Sequence, residues 1–437
     1  MKILIVSTYF PPQNSIASLR PYSWAKWWSR MGHDVTVLTT EKQVSESDLS
    51  LETTSFKVIE LPLKIPFASA SKAVKTAAKE GVQKKSVKIR LLTFLKKRFI
   101  EFATKTGCFL TCRYPDWHDG WAKKAQKFLK SKSTTSWDLV ISSGWPYSVH
   151  RVGYFLKKNN HTKRWVVDWR DLWTQNHLYP GLKLFHLYER SLEKRFHSKA
   201  DQIITVSDGL AESLRKITKT AVSVIYNGFD PEDFSNLFKN SRKKSEVLNL
   251  AYLGSIYKGF QDPAPLLKAI KNLAQDGKIT PSDIQIRFAG ANSDIAEQIV
   301  EFGLADYYSY LGFLPREQAL QEEYDADAVI FLEYENPRVK GVLTGKLFEY
   351  IYISREIWAV GTSNKTAAGE LIEKTGSGLC FGHDVRKIED YILESLEKKK
   401  RGTLDEQEKV GAVIDGFTRE RQAEKLLEIS MQGIKRG

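Results

Sequence analysis

Lys2-Ile3-Leu4-Ile5-Val6-Ser7 opens the chain as a short, largely β-branched apolar run. That is the composition of a strand buried on both faces of a parallel sheet. A turn-rich loop follows, Pro11-Pro12-Gln13-Asn14-Ser15, and then a helical stretch from Ala17 to Met31 that Gly32 ends. His33-Asp34-Val35-Thr36-Val37-Leu38 is the next strand. Strand, loop, helix, glycine and strand in this order make the βαβ unit of a doubly wound sheet.

The same alternation continues outward from that unit. Strands are expected at 56–61, 138–142, 164–168, 201–206 and 222–226, with helical stretches between most of them. The second half restarts the pattern. Strands are expected at 247–253, 284–289, 307–311, 328–332, 357–361 and 378–381. The intervening helices are expected at 264–274, 294–302, 316–324, 345–353 and 367–374. The polar run 236–246 reads as the linker. The expected fold class is α/β, with two Rossmann-like doubly wound domains facing a central cleft. Their bounds are 1–235, with a basic insert at about 66–120, and 236–415.

A length of 437 residues accommodates two such domains, and 42% hydrophobic residues exclude a disordered chain. Three cysteines, Cys108, Cys112 and Cys380, exclude a disulfide framework and favour a reducing compartment. The apolar N-terminus is one strand long and carries no cleavage pattern, so no signal peptide is expected. No run of about 18 apolar residues occurs, so no helix should span a bilayer. The expectation is a soluble protein, or one held to a surface from one side.

The formal net charge of +14 is unevenly spread. Residues 1–230 hold 38 Lys and Arg against 19 Asp and Glu, a net of +19; residues 231–437 hold 28 against 33, a net of −5. Within the first half, 72–98 carry ten cations and the single acid Glu80, with Leu91, Leu92, Phe94, Leu95, Phe99, Ile100 and Phe102 interleaved or following. A helix with a basic and an apolar face suits an anionic membrane surface. The alternative is a solvated helix whose apolar face packs on its own domain.

Several segments, taken in order, resemble the glycosyltransferase family 4 branch of GT-B enzymes. They are YFPPQNSIASLRPYSWAKW, VISSGWPYSVH, VVDWRDLW, ITVSDGLAESL, VIYNGFDPEDF, LAYLGSIYKG and LTGKLFEYI. WRDLW with LTGKLFEY is similar to a subgroup that builds bacterial cell-surface polysaccharides. The resemblance implies a GT-B fold whose first domain takes the acceptor and whose second takes a nucleotide-sugar. It implies a last helix, within 416–437, crossing back to the first domain. It further implies hexosyl transfer with retention of configuration, without cofactor or required metal, from a UDP- or GDP-sugar. The acceptor would be a lipid-linked glycan or another anionic molecule. The location would be cytoplasmic, at the inner face of the cell membrane. No nucleic acid is expected as partner. Asp325-Ala326-Asp327 precedes a strand and reads as flanking it rather than as a metal pair.

A diphosphate needs backbone N–H groups, a helix N-terminus and fixed cations. Thr344, Gly345 and Lys346 supply these at a helix start, and Glu349 lies one turn on. By resemblance, Glu349 would hold the donor's ribose hydroxyls. The alternative is a helix capped by Thr344 with Lys346 and Glu349 in solvent. Gly254 lets a ligand approach the backbone, and Lys258 would neutralise the leaving diphosphate; the alternative is a loop lysine in solvent. Gly290 and the Phe313–Leu314 loop are expected near the base. Two departures stand out: the first glutamate of the family's pair would fall at Gly341, and the family's usual arginine after Gly254 is Ser255.

On the acceptor side, Ser15, Ser18 and Arg20 follow the first strand, where the ligand crevice of an open α/β sheet lies. Ser18 as a helix cap and Arg20 as a surface charge are the alternatives. Asp171 is expected to accept or orient the acceptor's proton, and Arg170 to hold a phosphate. An Arg–Asp pair locking the loop, with Trp169 and Trp173 in the core, is the equal alternative. His150 joins the cleft residues, although a packed helical histidine is the commoner case. The competing functional readings are a GT-B-fold nucleotide-sugar epimerase, a basic nucleic-acid-binding protein that lacks any recognisable motif, and a non-catalytic polysaccharide-binding module.

Overall fold

The computed structural model describes all residues except 43–48, 50, 64–86, 111, 133–135, 177–178, 240–241, 244, 255, 257–258, 291–293, 334–340, 342, 354, 405–410 and 433–437. The chain divides into two compact units. The first comprises Met1–Val206, Leu210–Ile225 and Ala423–Gly437; the second comprises Ser207–Gly209 and Tyr226–Gln422.

Unit 1 begins with β1 (Lys2–Val6), α1 (Ile16–Arg30), β2 (Asp34–Thr40) and β3 (Lys57–Leu61), followed by α2 (Val87–Thr106) and α3 (His118–Ser131). Then come β4 (Trp137–Gly144), α4 (Val149–Lys158), β5 (Thr162–Trp169), α5 (His186–Lys199), β6 (Gln202–Thr205), α6 (Asp208–Arg215) and β7 (Val222–Val224). The sheet order is β3-β2-β1-β4-β5-β6-β7, and every pairing is parallel. The order reverses between β1 and β4, so a crevice opens at the carboxyl ends of those two strands.

Alternate residues of the central strands, Ile3 and Ile5, Val35 and Val37, Leu139 and Ile141, face one side and pack on Trp24 and Trp28 of α1. Trp28 is fully buried. Truncating it to Ala would cost about 3–5 kcal/mol in lost transfer energy and cavity. Ala423 and Leu426 join the same core, and the Ala423 carbonyl accepts from Trp28 Nε1 at 2.9 Å. Gly32 stops α1 in the left-handed region at φ +83°, where any Cβ is strained.

Unit 2 holds β8 (Leu248–Leu253), α7 (Ala264–Gln275), β9 (Ile284–Ala289), α8 (Asp294–Phe302), β10 (Tyr308–Tyr310), α9 (Arg316–Asp325) and β11 (Ala328–Leu332). It continues with α10 (Gly345–Ile353), β12 (Glu356–Val360), α11 (Ala367–Thr375), β13 (Gly378–Gly382), α12 (Val385–Arg401) and α13 (Gly411–Asp415). The last helix, α14 (Arg419–Met431), starts in unit 2 and ends in unit 1. The second sheet runs β10-β9-β8-β11-β12-β13, again parallel throughout. Its reversal lies between β8 and β11. The carboxyl end of β8 is therefore the place where this sheet is built to receive a ligand.

Candidate functional site

In unit 2 the chain turns sharply where β8 ends. Gly254 has φ +140°, and its N–H donates to Ala289 O at 2.6 Å. A Cβ built on Gly254 would fall 1.7 Å from Lys346 Nζ and 2.7 Å from its Cε. The lysine ammonium thus lies directly against the Gly254 backbone, at the sheet's reversal point. It also sits 5.1 Å from the centre of the Tyr252 ring. Gly290 closes in from β9: a Cβ there would meet Gly254 O at 2.3 Å. The Gly290 N–H donates to Gly312 O at 3.0 Å, and its carbonyl accepts from Tyr310 Oη at 2.7 Å. Phe313, the next residue after Gly312, is 69% exposed, while Leu314 packs beside Ala251, Leu253 and Ala289.

Four of the residues expected at the donor site, Gly254, Gly290, Gly345 and Lys346, therefore converge, because three strand ends and one helix start meet there. Thr344 stands just before α10; its Oγ1 is buried without a hydrogen-bond partner. That orphaned hydroxyl stands at the N-terminus of α10, the kind of place where an anion is received. Ser255 and Lys258 lie outside the described residues.

Glu349 is 8% exposed and is bonded to Arg316 Nη2 at 2.8 Å. The same Arg316 nitrogen reaches Asp233 at 3.3 Å, and Asp233 in turn takes Arg419 at 3.1 Å. The reading of Glu349 as solvated does not hold. The carboxylate is held in a string of alternating charges, and one oxygen is already engaged.

A second carboxylate went unnoticed in the sequence. Glu323 on α9 is 4% exposed, and its Oε2 has no partner. Burial pushes its carboxyl up, and Glu349 pushes it further, with Lys346 and Arg316 opposing. Burial lowers the Lys346 amine, with Glu323 and Glu349 opposing. Nothing in Arg316–Asp325, a charged helix by composition, marks Glu323 as the inward one.

In unit 1, Ser15 is the cap of α1; its Oγ accepts from Ala17 N at 3.1 Å. Ser18 is inside the helix, wholly buried, so the alternative of a cap belongs to Ser15. Arg20 needs correction as a residue open to the cleft. It is 3% exposed and forms a two-point pair with the fully buried Asp168, Nη2–Oδ1 at 3.0 Å and Nε–Oδ2 at 3.1 Å. Its Nη1 donates to Ile225 O at 2.8 Å, and Ser143 Oγ donates to Asp168 at 2.6 Å. Arg20 therefore ties α1 to β5 and the segment after β7.

His150 also needs correction. It is fully buried, with Nδ1 2.8 Å from Ser142 Oγ and its ring 4.1 Å from that of Trp169. Burial holds its pKa well below the ordinary value, so it stays neutral. It is a core residue because β4 and α4 fold it inward. Trp169 and Trp173 pack in the same core, 3% and 1% exposed.

Arg170 spends its donors on backbone carbonyls: Nη1 to Ala17 O at 3.1 Å, Nη2 to Trp145 O at 3.4 Å, and Nε to Gly144 O. It braces the carboxyl end of β4 against the first turn of α1. Asp171, one residue later, lies just beyond the end of β5; desolvation raises its carboxyl, with Arg170 and a hydrogen bond to Trp145 opposing. Sequence reasoning also passed over Lys42, just beyond β2. Its Nζ donates to Thr8 O and to Thr40 Oγ1 at 2.6 Å, and burial lowers its amine to about 8 although Glu60 opposes.

Among the described residues no group of three or more His, Cys, Asp or Glu could hold a metal ion. Among the same residues no helix is long and apolar enough to cross a membrane.

Residues 87–233 match the family model described as Glycosyltransferase Family 4. No curated protein matches the sequence. Solved structures match along the whole chain. A glycosyltransferase from Rickettsia africae is 15% identical with a TM-score of 0.59, covering 100% of this chain and 99% of that one. Sucrose-phosphate synthase from Thermosynechococcus elongatus is 13% identical with a TM-score of 0.61, over 100% and 99%. WaaG, described as a glycosyltransferase involved in lipopolysaccharide biosynthesis, is 12% identical with a TM-score of 0.53, over 99% and 100%. At such identities the likeness establishes the fold: two Rossmann-like units with parallel sheets, as in GT-B glycosyltransferases.

Proposed function

We propose that this GT-B chain is a glycosyltransferase that moves a hexosyl group from a nucleotide-sugar to an acceptor hydroxyl. The observation that carries this reading is Lys346 Nζ lying against Gly254 at the reversal of the second sheet. A diphosphate there meets an ammonium, the N-terminus of α10 and backbone stripped of side chains at Gly254 and Gly290. Glu349, oriented by Arg316, keeps free lone pairs for the hydroxyls of the donor.

The transfer is read as retaining and metal-independent. In that chemistry the departing phosphate takes the acceptor's proton while the new glycosidic bond forms on the same face, and Lys346 stabilises the charge left on the diphosphate. Asp171 is the carboxylate offered to the acceptor. The acceptor is read as a lipid-linked glycan in surface polysaccharide synthesis, reached from the inner face of the membrane. The exposed apolar residues of α2, Phe94, Leu95, Ile100 and Phe102, beside exposed Lys97 and Arg98, support a peripheral membrane position.

The test is a thermal-shift screen against UDP-, GDP-, dTDP- and CMP-sugars, followed by product analysis. One nucleotide-sugar should raise the midpoint, and the sugar should appear on an added acceptor. No stabilisation by any donor would remove the enzyme reading. Isomerised donor without acceptor would identify an epimerase instead.

A further inference from the structure

Helix α5 and the turn before it present an outward face of unusual composition. The exposed residues from 183 to 199 are Lys183, Leu184, Leu187, Tyr188, Arg190, Ser191, Lys194, Arg195, Ser198 and Lys199. Five are cations and none is an acid. Both glutamates of the helix point inward: Glu189 pairs with Arg113 at 3.1 Å, and Glu193 accepts from Thr174. Leu184 is 84% exposed and Leu187 is 80% exposed. They stand three residues apart, on one side of the helix entrance.

These leucines do nothing for the core. The inward face is completed by Leu192 and Phe196, both buried, and by His197, whose Nε2 accepts from Trp169 Nε1 at 2.9 Å. The turn is nevertheless firmly placed. Gly181 N–H donates to Thr106 O at 3.0 Å, at the end of α2. The Tyr114 ring packs on Phe185 at 4.9 Å and on Tyr188 at 4.7 Å. Two large apolar side chains thus stand exposed on an anchored turn, beside a patch of a single charge sign.

We propose that this face is a second membrane-docking surface, in which Leu184 and Leu187 insert among the acyl chains of an anionic bilayer. Lys183, Arg190, Lys194, Arg195 and Lys199 then lie at the headgroups. Charge complementarity selects an anionic partner. The two leucines select a bilayer over a nucleic acid, whose charged exterior offers them no apolar shelter. The inference rests on the peripheral membrane reading given above, and deepens it by naming an element outside the basic insert. Two anchors joined at Thr106 and Gly181 would fix the orientation of unit 1 on the surface as well as its attachment.

The test is flotation of the full chain with vesicles of phosphatidylglycerol and phosphatidylethanolamine, at low and high salt, against vesicles of phosphatidylcholine. The wild type should float with the anionic vesicles, less at high salt. L184S/L187S should weaken partitioning by on the order of tenfold per leucine, with an unchanged circular dichroism spectrum and thermal midpoint. K194Q/R195Q should flatten the salt dependence. If the wild type floats and L184S/L187S floats equally, this face is not an anchor, while the membrane reading stands through α2. If the wild type does not bind anionic vesicles at low salt, the membrane reading itself falls and this inference with it. Tighter binding to duplex DNA or RNA than to vesicles, weakened by K194Q/R195Q but not by L184S/L187S, would overturn the proposal in favour of a nucleic-acid surface.

Discussion

Replacing Lys346 with Met keeps the length of the side chain and deletes its charge. If the ammonium at Gly254 receives the donor's diphosphate, the variant loses one charge-assisted hydrogen bond, about 1.5–3 kcal/mol. The dissociation constant for the nucleotide should rise roughly ten- to hundredfold. The structure supplies an independent way to remove the same contact. Ala at 254 puts a Cβ 1.7 Å from Nζ and 2.7 Å from Cε. Those atoms are the flexible end of a lysine, so the side chain swings away and the unit stays folded. The strain at φ +140° costs about 1–3 kcal/mol of stability. G254A should therefore lose at least as much nucleotide affinity as K346M. Because both changes act on one contact, the double variant should fall well short of the sum of the two singles. Calorimetric titration with the nucleotide found in the donor screen measures all three, with far-ultraviolet circular dichroism as the folding control. K346M binding within about twofold of wild type would refute the assignment of the diphosphate to this corner. Additive losses in the double variant would refute the shared contact.

Three further outcomes are expected. R20M leaves the buried Asp168 without its two-point cation, with Ser143 still donating to it, so unit 1 should lose about 3–5 kcal/mol, read as a fall in the urea midpoint. Acid should destabilise unit 1 through His197, whose pKa burial lowers from 6.5 to about 4. The unfolded chain takes the proton first, so stability is full above pH 6.5 and is lost as pH falls towards 4, by about 3 kcal/mol in all; a urea midpoint unchanged over that window would contradict it. G341E, which writes in the glutamate that the family resemblance leads one to expect, should lower the thermal midpoint and gain no donor affinity. Position 341 has φ +82°, and a Cβ there would sit 2.9 Å from Gly209 Cα.

The two sheets were legible because buried parallel strands are written as unbroken apolar runs. Ile284–Ala289, Ala328–Leu332, Asp294–Phe302 and Gly345–Ile353 fall where periodicity places them. Helix α12 was missed because Glu, Lys and Arg dominate Val385–Arg401, and a charged run reads as a solvated stretch. Its signals were present all the same: the Asp384 side chain caps Lys387 N, and Gly402 ends the helix at φ +75°. Site residues divide along another line. The placement of Gly254 at a strand end and Lys346 at a helix start was legible because glycine after a strand and lysine at a helix start have local meanings. Arg20, His150 and Glu323 were not, because whether a polar side chain faces inward depends on partners far along the chain. Asp168 stands 148 residues from Arg20, and no local pattern joins them.

The exclusion of a glutamate at 341 changes how the charges of unit 2 must be understood. Helix α9 offers Arg316 and Glu323, seven residues apart and so on one face. Helix α10 offers Lys346 and Glu349, three apart. Arg316 binds Glu349 at 2.8 Å, and the buried Glu323 is close enough to Lys346 for each to bias the other's protonation. Each helix thus presents one acidic and one basic side chain to the other. Buried ion pairs contribute little net stability, since desolvation offsets most of the attraction. Four such groups behind the carboxyl end of β8 are poorly explained as a stabilising device. They are well explained as a means of fixing two side chains before a ligand arrives, so that the cost of orienting Lys346 and Glu349 is met when unit 2 folds. On the proposed function, α9 is the positioning element for donor-binding residues carried by α10. Glu323, rather than a residue at 341, is then the second carboxylate of the site.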